Sequence, residues 1–321
     1  MIMENVIETK NLQNESYKDV VLVMRDEHRS AEEKDRASKI SHIIAMTFTY
    51  IFLAILAVIM IFPFYWMIIT SLKSGAEIKQ LVPTFWPMTM RWDNYARAFS
   101  QLNFLVLMRN TLIVGIFSTL GTLLTTIFAA FAFARLDFKG KDFIFTLLLG
   151  TMMIPGEMMV ISNYISVSLL GMTGGTNVIG AYGAMILPFM ISVFYIYLLR
   201  QTFKQIPNEL YLAAKVDGKS DWEFLWKVMV PLAKPTLTTI LILKLMGSWN
   251  AYVWPQLIAT GNPDLYLITV GLRETFSTAG DLDAYGAQMA ATVIVTVPLL
   301  LVFIFCRKYI MRGVSRAGIK G

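Results

Sequence analysis

The sequence predicts an all-α integral membrane protein with six transmembrane helices and a helix–turn–helix on one aqueous side. Three observations carry this reading. The 321 residues are 56% hydrophobic, with a mean hydropathy of +0.57, more apolar than a domain with a water-facing surface tolerates. Only 16% of residues are charged, and these crowd into the first 42 positions, the 200–235 region and the last fifteen. Between those blocks lie stretches that approach or exceed the roughly 20 apolar residues a helix needs to cross a hydrocarbon core of about 30 Å. Helix is the economical way for such segments to satisfy their backbone in lipid.

The first segment runs from Ile43 to about Thr70, uncharged between Lys39 and Lys73. The second, Asn110 to Ala134, lies between Arg109 and Arg135. The third follows Asp142 and reaches about Ser168, where a Gly-rich turn, residues 171–177, separates it from a fourth at about Tyr182 to Leu199. The fifth covers about Thr236 to Ile258 and the sixth about Ala287 to Cys306. With the N-terminus inside, 21 of the 28 Lys and Arg fall in cytoplasmic segments and 6 in outside loops. The positive-inside rule therefore predicts that both termini are cytoplasmic. Pro63, Pro155, Pro188 and Pro298 lie within these segments and predict kinks, since neighbouring helices can re-satisfy freed carbonyls.

Other classes are disfavoured by what the chain holds. One cysteine, Cys306, cannot form an internal disulfide, and the only histidines, His28 and His42, leave no His/Cys zinc cluster. The formal charge of +6 is accounted for by cytoplasmic loops, so no nucleic-acid partner is expected. No apolar stretch precedes residue 43, so the first span is expected to act as an uncleaved anchor rather than a signal peptide. Residues 1–42 read as a polar cytoplasmic tail, either disordered or in contact with the membrane surface.

The most informative stretch is the loop at about 205–231. Leu210, Ala213 and Ala214 fall at i, i+3 and i+4 and form one small apolar face. Asp217-Gly218 offers a left-handed stop, and Ser220 with Glu223 forms a capping box that starts a second helix. Small side chains let a partner approach closely, with Lys215, Asp217 and Lys219 at the rim. An ordinary amphipathic loop would carry the same pattern.

This loop resembles the EAA loop of ATP-binding-cassette importer permeases. Ala213, Ala214, Asp217 and Gly218 match its core, and Val230-Pro231-Leu232 with Pro235 match its end. Leu212 stands where the family usually has Glu. Further strings resemble the carbohydrate, MalG-like branch. They are Phe62-Pro63-Phe64-Tyr65-Trp66-Met67, Trp92-Asp93-Asn94-Tyr95, residues 132–140, Met153-Ile154-Pro155, Ser248-Trp249-Asn250, Trp254-Pro255 and the tail at 307–321. The resemblance covers about residue 43 to the end. It implies the type I importer permease fold, with the loop as the coupling helix that docks into a cytoplasmic ATPase through Glu209, Leu210, Ala213, Ala214, Lys215, Asp217, Gly218, Lys219, Ser220 and Asp221.

The resemblance also implies partners: a MalF-like sister permease, two ATP-binding-cassette ATPases, and an extracellular or lipid-anchored sugar-binding protein. The chain itself has no G-x-x-x-x-G-K-[ST], since Gly140-Lys141 is followed by Asp142. No cofactor is expected on this chain, and ATP-Mg is expected on the partner ATPase. The implied setting is a bacterial plasma membrane. The implied organisation is a tail at 1–42, a first span with an extracellular loop at 43–108, a five-helix permease core at 109–307 and a cytoplasmic tail at 308–321.

Within the spans, Glu157 and Lys244 are ionisable and costly to bury, so both are expected to face the bundle interior. At about 1.5 Å per residue their depths differ by under about 11 Å, close enough for the two side chains to pair. Trp249, Asn250, Tyr252 and Trp254, and likewise Asn163 and Tyr164, have two open readings: interfacial aromatics and polar neighbours, or contacts to a sugar. A permease for amino acids, peptides or phosphate would share the loop. An intramembrane enzyme would need an Asp pair, a Ser with a His, or H-E-x-x-H within spans, and none occurs.

Overall fold

A computed structural model describes residues 39–174, 177–276 and 282–318. Among these residues there are helices, turns and no strand. The chain divides into two units, Met1–Trp66 and Met67–Gly321. The tail expected at 1–42 lies almost wholly outside the described residues, as do the last three residues of the C-terminal tail.

Helix α1, Lys39–Ser71, is 33 residues long, enough to cross a bilayer. Pro63 sits inside it without interrupting it. The part belonging to the first unit is almost wholly exposed, as suits a helix whose surroundings are lipid or another chain.

The stretch expected as a loop after the first span is a small polar knot. It carries α2 (Gly75–Ile78), capped by the Ser74 hydroxyl on the Glu77 N–H, and α3 (Asp93–Gln101). The buried Glu77 carboxylate accepts from the Met88 N–H at 3.1 Å and from the Thr84 hydroxyl, and Lys73 donates to the Thr84 carbonyl. Asn94 donates to the carbonyls of Ser71 and Lys73 at 2.9 and 3.0 Å. Lys73, Glu77 and Asn94 thus each have a partner, the condition for burying them at all.

Helix α4, Phe104–Arg135, is the 32-residue centre of the second unit. Around it the expected third and fourth spans are broken, and a third corner precedes the expected start of the fifth. Helix α5 (Lys141–Thr151) joins a 3-10 turn and α6 (Val160–Leu169) across an 84° bend at Pro155. Helix α7 (Val178–Ile186) and α8 (Val193–Lys204) meet at 45° around Pro188. After α9 (Asn208–Val216), the segment α10 (Asp221–Phe224), a π turn at Leu225–Met229 and α11 (Val230–Leu232) turns 76° into α12 (Lys234–Trp249), with Pro231 and Pro235 flanking the corner. The fifth span stops at Trp249, short of the expected Ile258, and residues 253–258 form a separate α13. Helix α14 (Ile268–Phe276) and α15 (Leu282–Gly318) follow, and Pro298 lies inside an uninterrupted α15.

What distinguishes the break at Pro188 from the intact helices at Pro63 and Pro298 is a set of donors on α4. The carbonyls of Phe189 and Met190 accept from Thr122 and Thr125. Gly121 lets α4 come this close, because a Cβ there would lie 2.1 Å from the Met190 Cε. Higher on the same helix, Asn110 donates to the carbonyls of Asp264 and Tyr266 at 2.7 and 3.0 Å and accepts from the Tyr182 hydroxyl at 2.6 Å. Thr111 accepts the Ile268 N–H at 2.8 Å. At the other end, Arg135 donates to the carbonyls of Phe203 and Ile206. A freed carbonyl in an apolar interior costs several kcal/mol, and α4 removes that cost at each of these points.

Asn110 is fully buried. Asn110→Leu keeps the branched outline but orphans two carbonyls and a tyrosine hydroxyl, so a loss on the order of 2–3 kcal/mol is expected. Thermal loss of monodispersity in detergent checks this, and an unchanged midpoint would show those bonds to be energetically idle.

Candidate functional site

The helix–turn–helix is built as its sequence predicts, and its ends are closed locally. Helix α9 ends in a left-handed glycine: Gly218 has φ +72°, its N–H bonds Lys215 O at 3.1 Å, and Lys219 N–H bonds Ala214 O at 2.9 Å. This is the Schellman arrangement, which satisfies the last carbonyls of a helix. The Ser220 hydroxyl accepts the Glu223 N–H at 3.2 Å and starts α10.

Across the turn, Asp221 receives both the Tyr211 hydroxyl at 2.7 Å and the Lys215 ammonium at 2.8 Å. Those two bonds, Lys215 first, hold the Asp221 carboxyl below its ordinary value, and Asp221 in turn holds Lys215 above its own. Glu223 is likewise lowered, chiefly by Lys227 at 2.8 Å.

The loop's faces differ from the expected ones. Tyr211 and Ala214 turn inward onto the core of Leu199, Phe203, Phe224 and Met229, and Tyr211 meets Phe224 edge-on at 5.1 Å. Ala213 turns outward with Glu209, Leu212 and Val216, a set at i, i+3, i+4 and i+7. Leu212 is 55% and Val216 88% exposed. The small face expected from Leu210, Ala213 and Ala214 is therefore split, because the aromatic core claims the Tyr211–Ala214 side. Lys215 is drawn inward to Asp221 and Lys219 approaches Glu223 at 3.8 Å, while Asp217 and Gly218 stay exposed at the turn.

The anchors that fix the loop were not singled out from the sequence. Trp222 stacks on Phe128 of α4 at 5.9 Å, and Trp226 meets the same ring edge-on at 6.2 Å. Arg135 reaches Asn208 at 3.2 Å. The spacing of Trp222 and Trp226, one helical turn apart, is the signal that could have revealed them.

A second feature lies beside the break between α7 and α8. A cavity of about 350 Å³ is bordered by Ser118, Ser192, Tyr195, Lys244, Ser248 and Trp254, among others. The Lys244 ammonium donates to the Phe189 carbonyl at 2.9 Å. The expected pairing of Lys244 with Glu157 is not made. Glu157 lies exposed on the 3-10 turn at the 84° bend, where a depth computed along a straight helix no longer applies.

The other expected path residues are dispersed. Asn163 is exposed and Tyr164 packs beside Trp254 and Ala181. Trp249 packs on the Leu107–Ile268 cluster, Asn250 bonds Met246 O at 2.9 Å, and Tyr252 carries Arg273 at 5.0 Å from its ring. Of the expected set only Lys244 and Trp254 border the cavity. The serines there carry no sequence signal, since hydroxyls on membrane helices often bond their own backbone.

A bundle of apolar helices with broken spans and a capped helical loop defines the class: a membrane transport permease. The sequence matches the family described as binding-protein-dependent transport system inner membrane component over residues 30–316, and the chain belongs to that family. It is 30% identical over 274 residues to the arabinooligosaccharides transport system permease protein AraQ of Bacillus subtilis (strain 168), covering 84% of this chain and 94% of that one. It is 30% identical over 291 residues to the diacetylchitobiose uptake system permease protein NgcG of Streptomyces coelicolor (strain ATCC BAA-471 / A3(2) / M145), covering 90% and 91%. Its fold is similar to a chain in the crystal structure of a bacterial ABC transporter involved in the import of the acidic polysaccharide alginate. The TM-score is 0.72 at 23% identity, covering 83% of this chain and 96% of that one. The type I importer permease fold expected from the sequence is thereby established, and with it a multi-pass protein of the bacterial plasma membrane.

The charge tie across the loop has a defined pH range. Asp221 titrates below its ordinary 3.8, so its contribution is complete above 3.8 and is lost as pH falls through the lower folded value. Lys215 titrates above its ordinary 10.5, so its contribution is complete below 10.5 and is lost as pH rises through the higher folded value. Protection of the 208–224 amides, corrected for intrinsic exchange, is therefore expected to stay level between about pH 5 and 9. Asp221→Asn is expected to reduce that protection at neutral pH. Loosening of the unaltered loop at pH 6 would contradict this account.

Proposed function

We propose that this chain is one of two permease subunits of an ATP-driven carbohydrate importer and that α9 with its Schellman turn is the element gripped by the motor. One observation carries the reading. The loop closes on itself and on α4 through Asp221, Tyr211 and Trp222, yet leaves Leu212, Ala213 and Val216 bare. A face that is rigid behind and open in front is suited to receiving force from another protein.

The relatives named for arabinooligosaccharide and diacetylchitobiose transport support an oligosaccharide as cargo. The basic-residue asymmetry supports cytoplasmic termini and a cytoplasmic loop. In this reading a MalF-like sister permease completes the passage. A sugar-binding protein delivers cargo from outside, and two ATPase subunits hold ATP-Mg. Docking contacts come from Glu209, Leu212, Ala213 and Val216, with Leu210, Asp217, Gly218 and Lys219 around them and Lys215, Ser220 and Asp221 holding the shape. The cavity beside Lys244 belongs to the solute path.

The mechanism is positional rather than chemical. Nucleotide-driven closure of the ATPases changes the cleft that holds α9. Because α9 is tied to α10 and both rest on α4 and α8, the displacement moves those spans as a body. Differential docking in the two nucleotide states is then what biases alternating access.

Two measurements test this in the complete importer. Val216→Cys in a Cys306→Ser background is expected to crosslink to an ATPase subunit through a short bifunctional reagent. Gly218→Val forces a branched residue to φ +72°, which strains the turn by about 1–2 kcal/mol or more, and should cut ATP-driven uptake about tenfold or more while the permease still reaches the membrane. Undiminished uptake together with no crosslink would overturn the docking role.

A further inference from the structure

The cavity beside the broken span is polar in an asymmetric way. Among the described residues Lys244 is the only charged side chain on its wall, and no carboxylate lines it. One ammonium proton goes to the Phe189 carbonyl at 2.9 Å. The same ammonium lies 5.5 Å from the centre of the Phe189 ring. Among the described residues Lys244 forms no ion pair. An ammonium has three donors, so two remain for a ligand. A lysine held among membrane helices costs about 2.5–3.5 kcal/mol on insertion scales, a cost normally offset by a counter-charge.

Hydroxyls complete the wall. Ser118 and Ser248 lie 3.3 Å apart across α4 and α12, and the Ser192 oxygen accepts the Tyr195 N–H, so the Ser192 hydroxyl proton remains available. The volume, about 350 Å³, falls at the lower end of the roughly 300–1,000 Å³ typical of small-ligand sites.

From these features we propose that the cavity binds the anionic group of an acidic saccharide, a carboxylate or a phosphate, on Lys244, with the serine hydroxyls taking the neighbouring sugar hydroxyls. An anionic oxygen adds to the ammonium's hydrogen bond a charge–charge attraction that a neutral hydroxyl does not supply, so the site discriminates acidic from neutral units at this point of the path. The inference rests on the reading that this cavity belongs to the solute path.

The test uses the complete importer in nanodiscs, with Cys306→Ser to remove the one native thiol and Ser248→Cys as a reporter in the cavity. Two methanethiosulfonate reagents of similar size are compared, one bearing a sulfonate and one a trimethylammonium, with and without ATP-Mg. The sulfonate reagent is expected to react at least about fivefold faster relative to their rates on a free thiol, the scale of one unscreened charge nearby. Lys244→Gln should erase that preference and Lys244→Arg should keep it. Digalacturonate or galactose 1-phosphate should slow the labelling at concentrations where cellobiose does not, and whichever protects identifies carboxylate or phosphate as the source of the charge.

Absence of labelling by either reagent in every nucleotide state would remove the solute-path reading and the proposal with it. Equal normalised rates, or equal protection by neutral and acidic sugars, would overturn the acidic-ligand proposal and leave the path intact. Should Lys244→Gln not assemble, the comparison of reagents and sugars on the protein with Lys244 in place decides the matter.

Discussion

A chain that breaks its helices inside a bilayer must find hydrogen-bond partners for the backbone it exposes, and one helix supplies most of them here. Asn110, Thr111, Thr122, Thr125 and Arg135 occur along α4, and each meets a carbonyl or amide of a neighbour that has left regular geometry. Water would do this in a soluble protein. In hydrocarbon the donors must be covalent parts of the structure. The turn at Phe189 persists in apolar surroundings only alongside such a helix. The cavity at Lys244 lies where the backbone has been opened in this way.

The six apolar segments were legible because hydropathy over 20 residues is a strong signal that needs no tertiary information. The breaks were not. Proline occurs at 63, 155, 188 and 298, yet only two of these sites interrupt a span. Whether a proline breaks a helix at Phe189 depends on Thr122 and Thr125, about 65 residues away in sequence. The absent Glu157–Lys244 pairing has the same origin, since the expected depth holds only for a straight rod and this one is bent by 84°.

The loop shows the complementary case. Its caps, Gly218 and Ser220, act within a few residues and could be read directly. Its orientation could not, because Leu210–Ala213–Ala214 and Tyr211–Ala214 are both plausible faces of α9. The choice between them is made by Phe224 and Met229, which arrive only when the corner folds back. Residue type specifies what a helix can offer. The neighbours decide which side is offered.

The threonines that hold the broken fourth span have a property that bears on movement. The Thr122 oxygen lies 2.8 Å from its own helix carbonyl at Ser118 and 2.8 Å from Phe189 O, and Thr125 is likewise shared between Thr122 O and Met190 O. A hydroxyl has a single proton to give. When the neighbouring span slides away, that proton swings back to the parent helix and the number of bonds donated from α4 does not fall. Opening the seam therefore leaves the donors of α4 in use and costs what the Phe189 and Met190 carbonyls lose, of which Phe189 keeps the Lys244 ammonium as a second donor.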